Sequence, residues 1–151
     1  MIQARPVALI DDDRLWVETL ADFLERRGLN VLTAEAGQAG LDLLREHPVG
    51  LALIDYHMPD MNGLELLERL KQRGRIPPVL LLSSDSEPSL PRRALAAGAS
   101  AFLPKSSPPA LLLKTIHQAL GALTFYLPIL QGETPIFKFT LQWRRKRDDS
   151  N

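Results

Sequence analysis

Four short apolar runs in this chain each lead into a polar residue that could do chemistry. Pro6-Val-Ala-Leu-Ile10 runs into Asp11, Asp12 and Asp13, and Leu51-Ala-Leu-Ile54 ends at Asp55. Val79-Leu-Leu-Leu82 ends at Ser83, and Ala101-Phe-Leu103 ends near Lys105. Brought together, carboxylates at Asp11, Asp12 and Asp55 repel one another unless a cation joins them. Oxygen donors without His or Cys suit a hard ion, and Mg²⁺ fits best because it binds one or two carboxylates plus a phosphate. A carboxylate beside such an ion can attack phosphorus and form an acyl phosphate. Lys105 would offset the charge of the transferred group as a point charge, and the Ser83 hydroxyl would donate to one of its oxygens. Phosphoryl transfer asks for little beyond such positioning and charge.

Each residue alone has a plainer explanation. Aspartates before a helix favour its N-terminus. Asp55 could be a turn residue, Ser83 a loop residue, and Lys105 one of eighteen solvated Lys and Arg side chains. The plainer explanations fail together because a fold would have to bring four strand ends to one face.

The elements between the runs point to such a fold. Runs this short without polar alternation read as strands buried on both faces of a parallel sheet, with Val31-Leu-Thr-Ala34 as a shorter fifth candidate. Trp16, Leu20, Phe23 and Leu24 are spaced for one helix face, with Gly28 as a stop. Ala36 to Glu46, Gly63 to Lys71 and Leu90 to Ala97 continue the alternation, the last closing at Gly98. For the final helix, Ser107 is the expected cap and Pro108 suits its first turn, ahead of an apolar stripe of Leu112, Ile116, Ala119 and Leu120. Five βα units imply an α/β protein with a parallel, doubly wound sheet and a site beyond the carboxyl ends of its strands. Trp16 reads as core by its spacing. His47 and His117 read as surface residues, and His57 as an exposed loop side chain.

Composition limits the alternatives. The 151 residues form one domain by size, with an apolar fraction of 45% that is ordinary for a globular protein. There is no cysteine, which removes disulfides and thiolate catalysis. Eighteen basic and eighteen acidic residues cancel, which argues against nucleic acid or an anionic membrane as partner. No apolar run has the length of a membrane span or the form of a signal peptide, so a cytoplasmic location is expected.

The chain closely resembles the receiver domain of two-component response regulators. The resemblance rests on Val7-Ala-Leu-Ile-Asp-Asp-Asp13, Ile54-Asp-Tyr-His-Met-Pro-Asp-Met-Asn-Gly63, Pro78-Val-Leu-Leu-Leu-Ser83 and Gly98-Ala-Ser-Ala-Phe-Leu-Pro-Lys105, and it covers residues 5 to 121. It implies a five-stranded parallel sheet of flavodoxin-like order 2-1-3-4-5. It also implies that Asp55 is the phosphoacceptor, and that Asp12, Asp55 and the backbone carbonyl of His57 bind Mg²⁺ with support from Asp11. Ser83 and Phe102 would be the switch pair, and Ser83, Asp55 and Lys105 the catalytic set. His57 and Asp85 would border the attacking water.

The implied protein is a switch that assists only its own phosphoryl transfer and hydrolysis. A sensor histidine kinase or phosphotransfer protein would act upstream of it and a protein effector downstream. Proline usually follows the lysine in this family, in a cis peptide. Ser106 stands there instead, and a trans bond is expected because a non-proline cis bond is costly.

Two other readings compete. Asp11-x-Asp13 superficially fits the first motif of haloacid dehalogenase-like phosphatases, but the acidic pair those enzymes carry after the lysine is missing. A receiver-like module that works without phosphorylation would ordinarily have lost a site residue, and none is lost here. Residues 1–121 are therefore read as the receiver and 122–151 as a C-terminal extension. In that extension Phe137, Phe139, Leu141 and Trp143 alternate with polar residues, which is a strand signal, and a basic cluster Arg144-Arg-Lys-Arg147 follows. The extension could cover its own domain. A homodimer through it, or through the face of the fourth helix, fifth strand and fifth helix, is a further expectation.

Overall fold

Strands β1 (Val7–Ile10), β2 (Val31–Ala34), β3 (Leu51–Asp55), β4 (Val79–Ser83) and β5 (Ala101–Pro104) alternate with helices α1 (Arg14–Glu25), α2 (Gly37–Glu46), α3 (Gly63–Lys71), α4 (Leu90–Ala96) and α5 (Pro109–Gly121). The computed structural model describes residues 5–74 and 76–121. The strands pair in parallel, in the order β2-β1-β3-β4-β5. This is the doubly wound, flavodoxin-like sheet that the sequence implies. The extension at 122–151 lies outside the described residues.

Successive residues of a strand face opposite sides, and the apolar runs fill both. Ala8, Ile10, Ala52, Ile54 and Leu81 pack into one cluster with residues of α2, α3 and α4. Val7, Leu9, Leu51, Leu53, Leu80 and Leu82 pack into the other with α1 and α5. The central strands therefore tolerate no polar alternation, and a polar residue appears only where a strand reaches the end of the sheet. β3 and β4 run one residue further than their apolar runs, so Asp55 and Ser83 are their last residues. β2 differs from expectation. Only Ala34 is buried in it, because it is an edge strand with one neighbour.

Local chemistry sets the helix ends. The Asp13 carboxylate accepts from Trp16 N at 3.1 Å and caps α1, while Asn62 accepts from Glu65 N at 2.9 Å and caps α3. Ser107 does not cap α5. The helix begins at Pro109, and the Pro108 carbonyl accepts from Leu112 N at 3.1 Å. The pair of prolines explains the shift. A residue before proline is kept out of the helical region, and Pro109 has no N–H to give to a Ser107 oxygen. Gly98 ends the turn after α4 at φ 107°, a conformation that favours glycine. Among the described residues there is no cis peptide, so Lys105–Ser106 is trans as expected, and no helix is long and apolar enough to cross a membrane.

Gly63 couples this scaffold to the end of β3. A Cβ there would lie 2.7 Å from the Asp55 carbonyl oxygen and 3.2 Å from Tyr56 Cα. Its N–H donates to the Tyr56 carbonyl at 2.8 Å. Gly63→Ala is expected to destabilise the fold by about 1–3 kcal/mol through overpacking. Urea unfolding should show a lower midpoint with an unchanged slope.

Candidate functional site

The carboxyl ends of β1, β3, β4 and β5 bring the sequence-selected residues together. Asp11 follows the last residue of β1, Ile10, and its N–H is bonded to the Ala34 carbonyl at 3.0 Å. Asp11 and Asp55 are buried, whereas Asp12 is exposed. A carboxylate oxygen from each of the three lies within 4.8 Å of the others. Lys105 reaches this cluster from beyond β5. Its Nζ is 2.6 Å from Asp11 Oδ2 and 3.3 Å from Asp55 Oδ1.

The electrostatics are those of crowded, desolvated acids. Burial, and then the neighbouring Asp11, push the Asp55 carboxyl up to about 6, against the pull of Lys105. For Lys105, burial works to lower the ammonium, but its contacts with Asp11 and Asp55 outweigh that and raise it. One ammonium thus faces three carboxylates. The buried Asp11 Oδ2 is met by Lys105 alone among the described residues. An all-oxygen, net-negative cluster of this kind fits a hard divalent cation such as Mg²⁺.

Ser83 is fully buried at the end of β4, beside the end of β3, and its Oγ accepts from Asp85 N at 2.9 Å. Its own O–H remains free to donate. Phe102 lies inside β5 opposite Leu81, buried in the cluster under α2, α3 and α4. The ring is therefore inward in this structure. Asp13 belongs to the cap of α1 and is not among the clustered carboxylates.

Three contacts escape a sequence reading. The Trp16 ring lies under Lys105, with Nζ 4.9 Å from its centroid, so Trp16 borders the site as well as packing on the core. His57 Nε2 lies 3.1 Å from Asp85 Oδ2, and this hydrogen bond holds the Asp85 carboxyl below its usual range. The pair joins the two loops that flank Asp55. His57 is exposed as expected, but its ring is engaged by Asp85 and stands apart from the clustered carboxylates. Asp60 accepts from Gln38 N at 2.8 Å and Gly37 N at 2.9 Å, which caps α2 from the loop after β3 and lowers its carboxyl. No local spacing could reveal these contacts, since their partners are more than twenty residues apart. His47 and His117 are exposed, as read.

Comparison with known proteins agrees with this geometry. The family model described as "Response regulator receiver domain" matches residues 7–117, and the chain belongs to that family. Its members are signalling switches of two-component systems, which sets the phosphatase reading aside. The chain is 37% identical over 117 residues to the transcriptional activator protein ExaE of Pseudomonas putida, covering 76% of this chain and 55% of ExaE. It is 30% identical over 149 residues to the sensor histidine kinase AruS of Pseudomonas aeruginosa, covering 96% of this chain and 14% of AruS. Among solved structures, the CheY-like receiver from Methanospirillum hungatei superposes with a TM-score of 0.74 at 28% identity, covering 79% of this chain and 95% of that one. The chain spans about half the length of the transcriptional regulators it matches. Because those relatives are named as transcriptional regulators, the charge argument against nucleic acid finds no support here.

The shift of Asp55 has a sign that can be measured. The folded state holds this proton to about 6, whereas an unfolded aspartate releases it near 4. Folding is thus favoured by the bound proton, and that contribution is lost as pH rises through this window. Without metal, Asp55→Asn should match wild-type stability near pH 4 and exceed it by roughly 1–3 kcal/mol at pH 7. Urea unfolding of both proteins at the two pH values, in chelator, checks this.

Proposed function

We propose that this chain is a phosphorylation-controlled signalling switch with Asp55 as its phosphoacceptor, residues 1–121 being the receiver and 122–151 an extension. The observation that carries the reading is the buried Asp55 carboxylate, held among Asp11, Asp12 and Lys105 at the ends of three strands. Asp11, Asp12 and Asp55, with the His57 backbone carbonyl, would hold Mg²⁺, which when bound neutralises the carboxylates and the phosphoryl oxygens.

The residues divide the remaining work. An Asp55 carboxylate oxygen forms the new P–O bond as the P–N bond of a phosphohistidine donor breaks, and the released ring nitrogen takes a proton from water. Lys105 already stands between Asp11 and Asp55 and offsets the added charge. Ser83 Oγ keeps its bond from Asp85 N while its O–H turns to a phosphoryl oxygen. Drawing Ser83 inward couples the site to β5 and Phe102, and so to the surface of α4, β5 and α5, where partners would be selected. His57 and Asp85 stand at the entrance and would govern how readily water reaches the acyl phosphate.

The upstream partner in this reading is a sensor histidine kinase or a phosphotransfer protein. The similarity to a segment of AruS, itself named a sensor histidine kinase, supports that pairing. Output through transcription is the counterpart reading, supported by relatives such as ExaE. A module that signals without phosphorylation is the competing account, and the complete set of site residues disfavours it.

Incubation with acetyl phosphate and Mg²⁺ should add one labile phosphoryl group to the wild type and none to Asp55→Asn, read by intact mass. No uptake, together with no Mg²⁺-dependent binding of beryllofluoride, would establish the phosphorylation-independent module instead.

A further inference from the structure

The two edges of the sheet are unequal. In β5, Ala101, Phe102 and Leu103 are buried, and Pro104 has no N–H to offer. In β2, Val31 and Leu32 are only half-buried and Thr33 is exposed. The carbonyls of Asn30 and Ala34 accept from Val7 N and Asp11 N on the β1 side. Backbone groups alternate in direction along a strand, so the N–H and C=O of Val31 and Thr33 face the free edge. Such an edge is a template for a further strand.

Beside this edge, α1 and β2 frame a shallow groove of about 400 Å³. Its floor includes Val17, Ala21 and Val31, and its rim carries Glu18, Asp22, Glu25 and Glu35 against a single base, Arg14. Arg14 is already engaged by Glu35 at 2.9 Å. Among the described residues Arg26 pairs with Asp22 at 2.8 Å, and Glu25 has no ion pair. The groove therefore has an apolar floor and an acidic rim.

One segment of the same chain has the complementary pattern. Phe137, Phe139, Leu141 and Trp143 alternate with Lys138, Thr140, Gln142 and Arg144, and Arg144 to Arg147 are four consecutive bases. We propose that residues 137–147 add to the free edge of β2 as a sixth strand. The apolar row would lie over Val17, Ala21 and Val31, and the bases would meet the acidic rim.

The reach is sufficient. Leu120, near the end of α5, lies beside Gly50, and Gly50 N bonds to the Pro6 carbonyl. Val7, the next residue, pairs with Val31. The helix thus ends at the same end of the sheet where β2 begins. Fifteen residues, 122–136, separate Gly121 from Phe137. Extended, they span up to ~50 Å, against a spacing of about 5 Å per strand. A tether this short gives an effective concentration of about a millimolar, so the chain's own segment outcompetes a second copy in dilute solution.

The absence of cysteine makes a clean test possible, because two introduced thiols are the only ones. In the full-length Thr33→Cys/Leu141→Cys protein, whose two positions would share the α1 face of the sheet, a short bismaleimide should join the two residues within one chain, identified by the mass of the linked peptides. Its yield should exceed that of the far-face control Arg69→Cys/Leu141→Cys by roughly tenfold. Adding Glu18→Lys and Glu25→Lys should reduce the yield several-fold. The proposal is overturned by a yield no higher than the control, by a link formed solely between two chains, or by a link indifferent to the charge reversal.

Discussion

The contact of Lys105 with Asp11 and Asp55 is the interaction on which the site depends. Unit charges within 4.8 Å of each other repel by about 3–4 kcal/mol at an effective dielectric constant near 20. That is a large part of the 5–15 kcal/mol that usually holds a domain together. A pair of buried carboxylates at this spacing therefore needs a counter-charge, and Lys105 supplies one from the far edge of the sheet. It does not supply enough. The cluster stays net negative, and Asp55 retains its proton to about 6. The fold tolerates a standing electrostatic deficit that a cation and a phosphoryl group would each relieve in turn.

The rest of the structure keeps that deficit in place. Strand residues buried on both faces fix the ends of β1, β3 and β4, and the parallel register pairs Asp55 with Leu82, the residue before Ser83. The loop after β3 is pinned along its length. Asp60 caps α2, Asn62 caps α3, and Gly63 permits an approach to the Asp55 carbonyl that no side chain could. Across the cleft, the hydrogen bond between His57 and Asp85 ties this loop to the one after β4, whose Asp85 N–H also holds Ser83 Oγ. A change at Asp55 is thus one short step from Ser83, and from there to β5.

Much of this was legible in the sequence because parallel sheets write themselves plainly. Continuous apolar runs ending in Asp11, Asp55, Ser83 and near Lys105 mark strand ends, and the topology does the rest. The errors arise where a neighbour decides. β2 carries an apolar run like the others, but its position at the edge leaves it half-covered. Ser107 is a good cap by type, and the following prolines displace the helix start. Trp16 has helical core spacing and also faces Lys105, which only the folded arrangement can reveal. The contacts of His57 with Asp85 and of Asp60 with α2 join distant segments, and no local pattern encodes them.

The central claim is that Asp55 sits in an electrostatic deficit built to be relieved by a cation. Carbon-13 NMR of the Asp55 carboxyl reads this directly, as a titration curve with and without Mg²⁺. An apparent pKa near 6 without metal, falling markedly when Mg²⁺ is added, is the predicted result. A carboxyl that titrates near 4, as an ordinary aspartate does, and ignores Mg²⁺ would contradict the account.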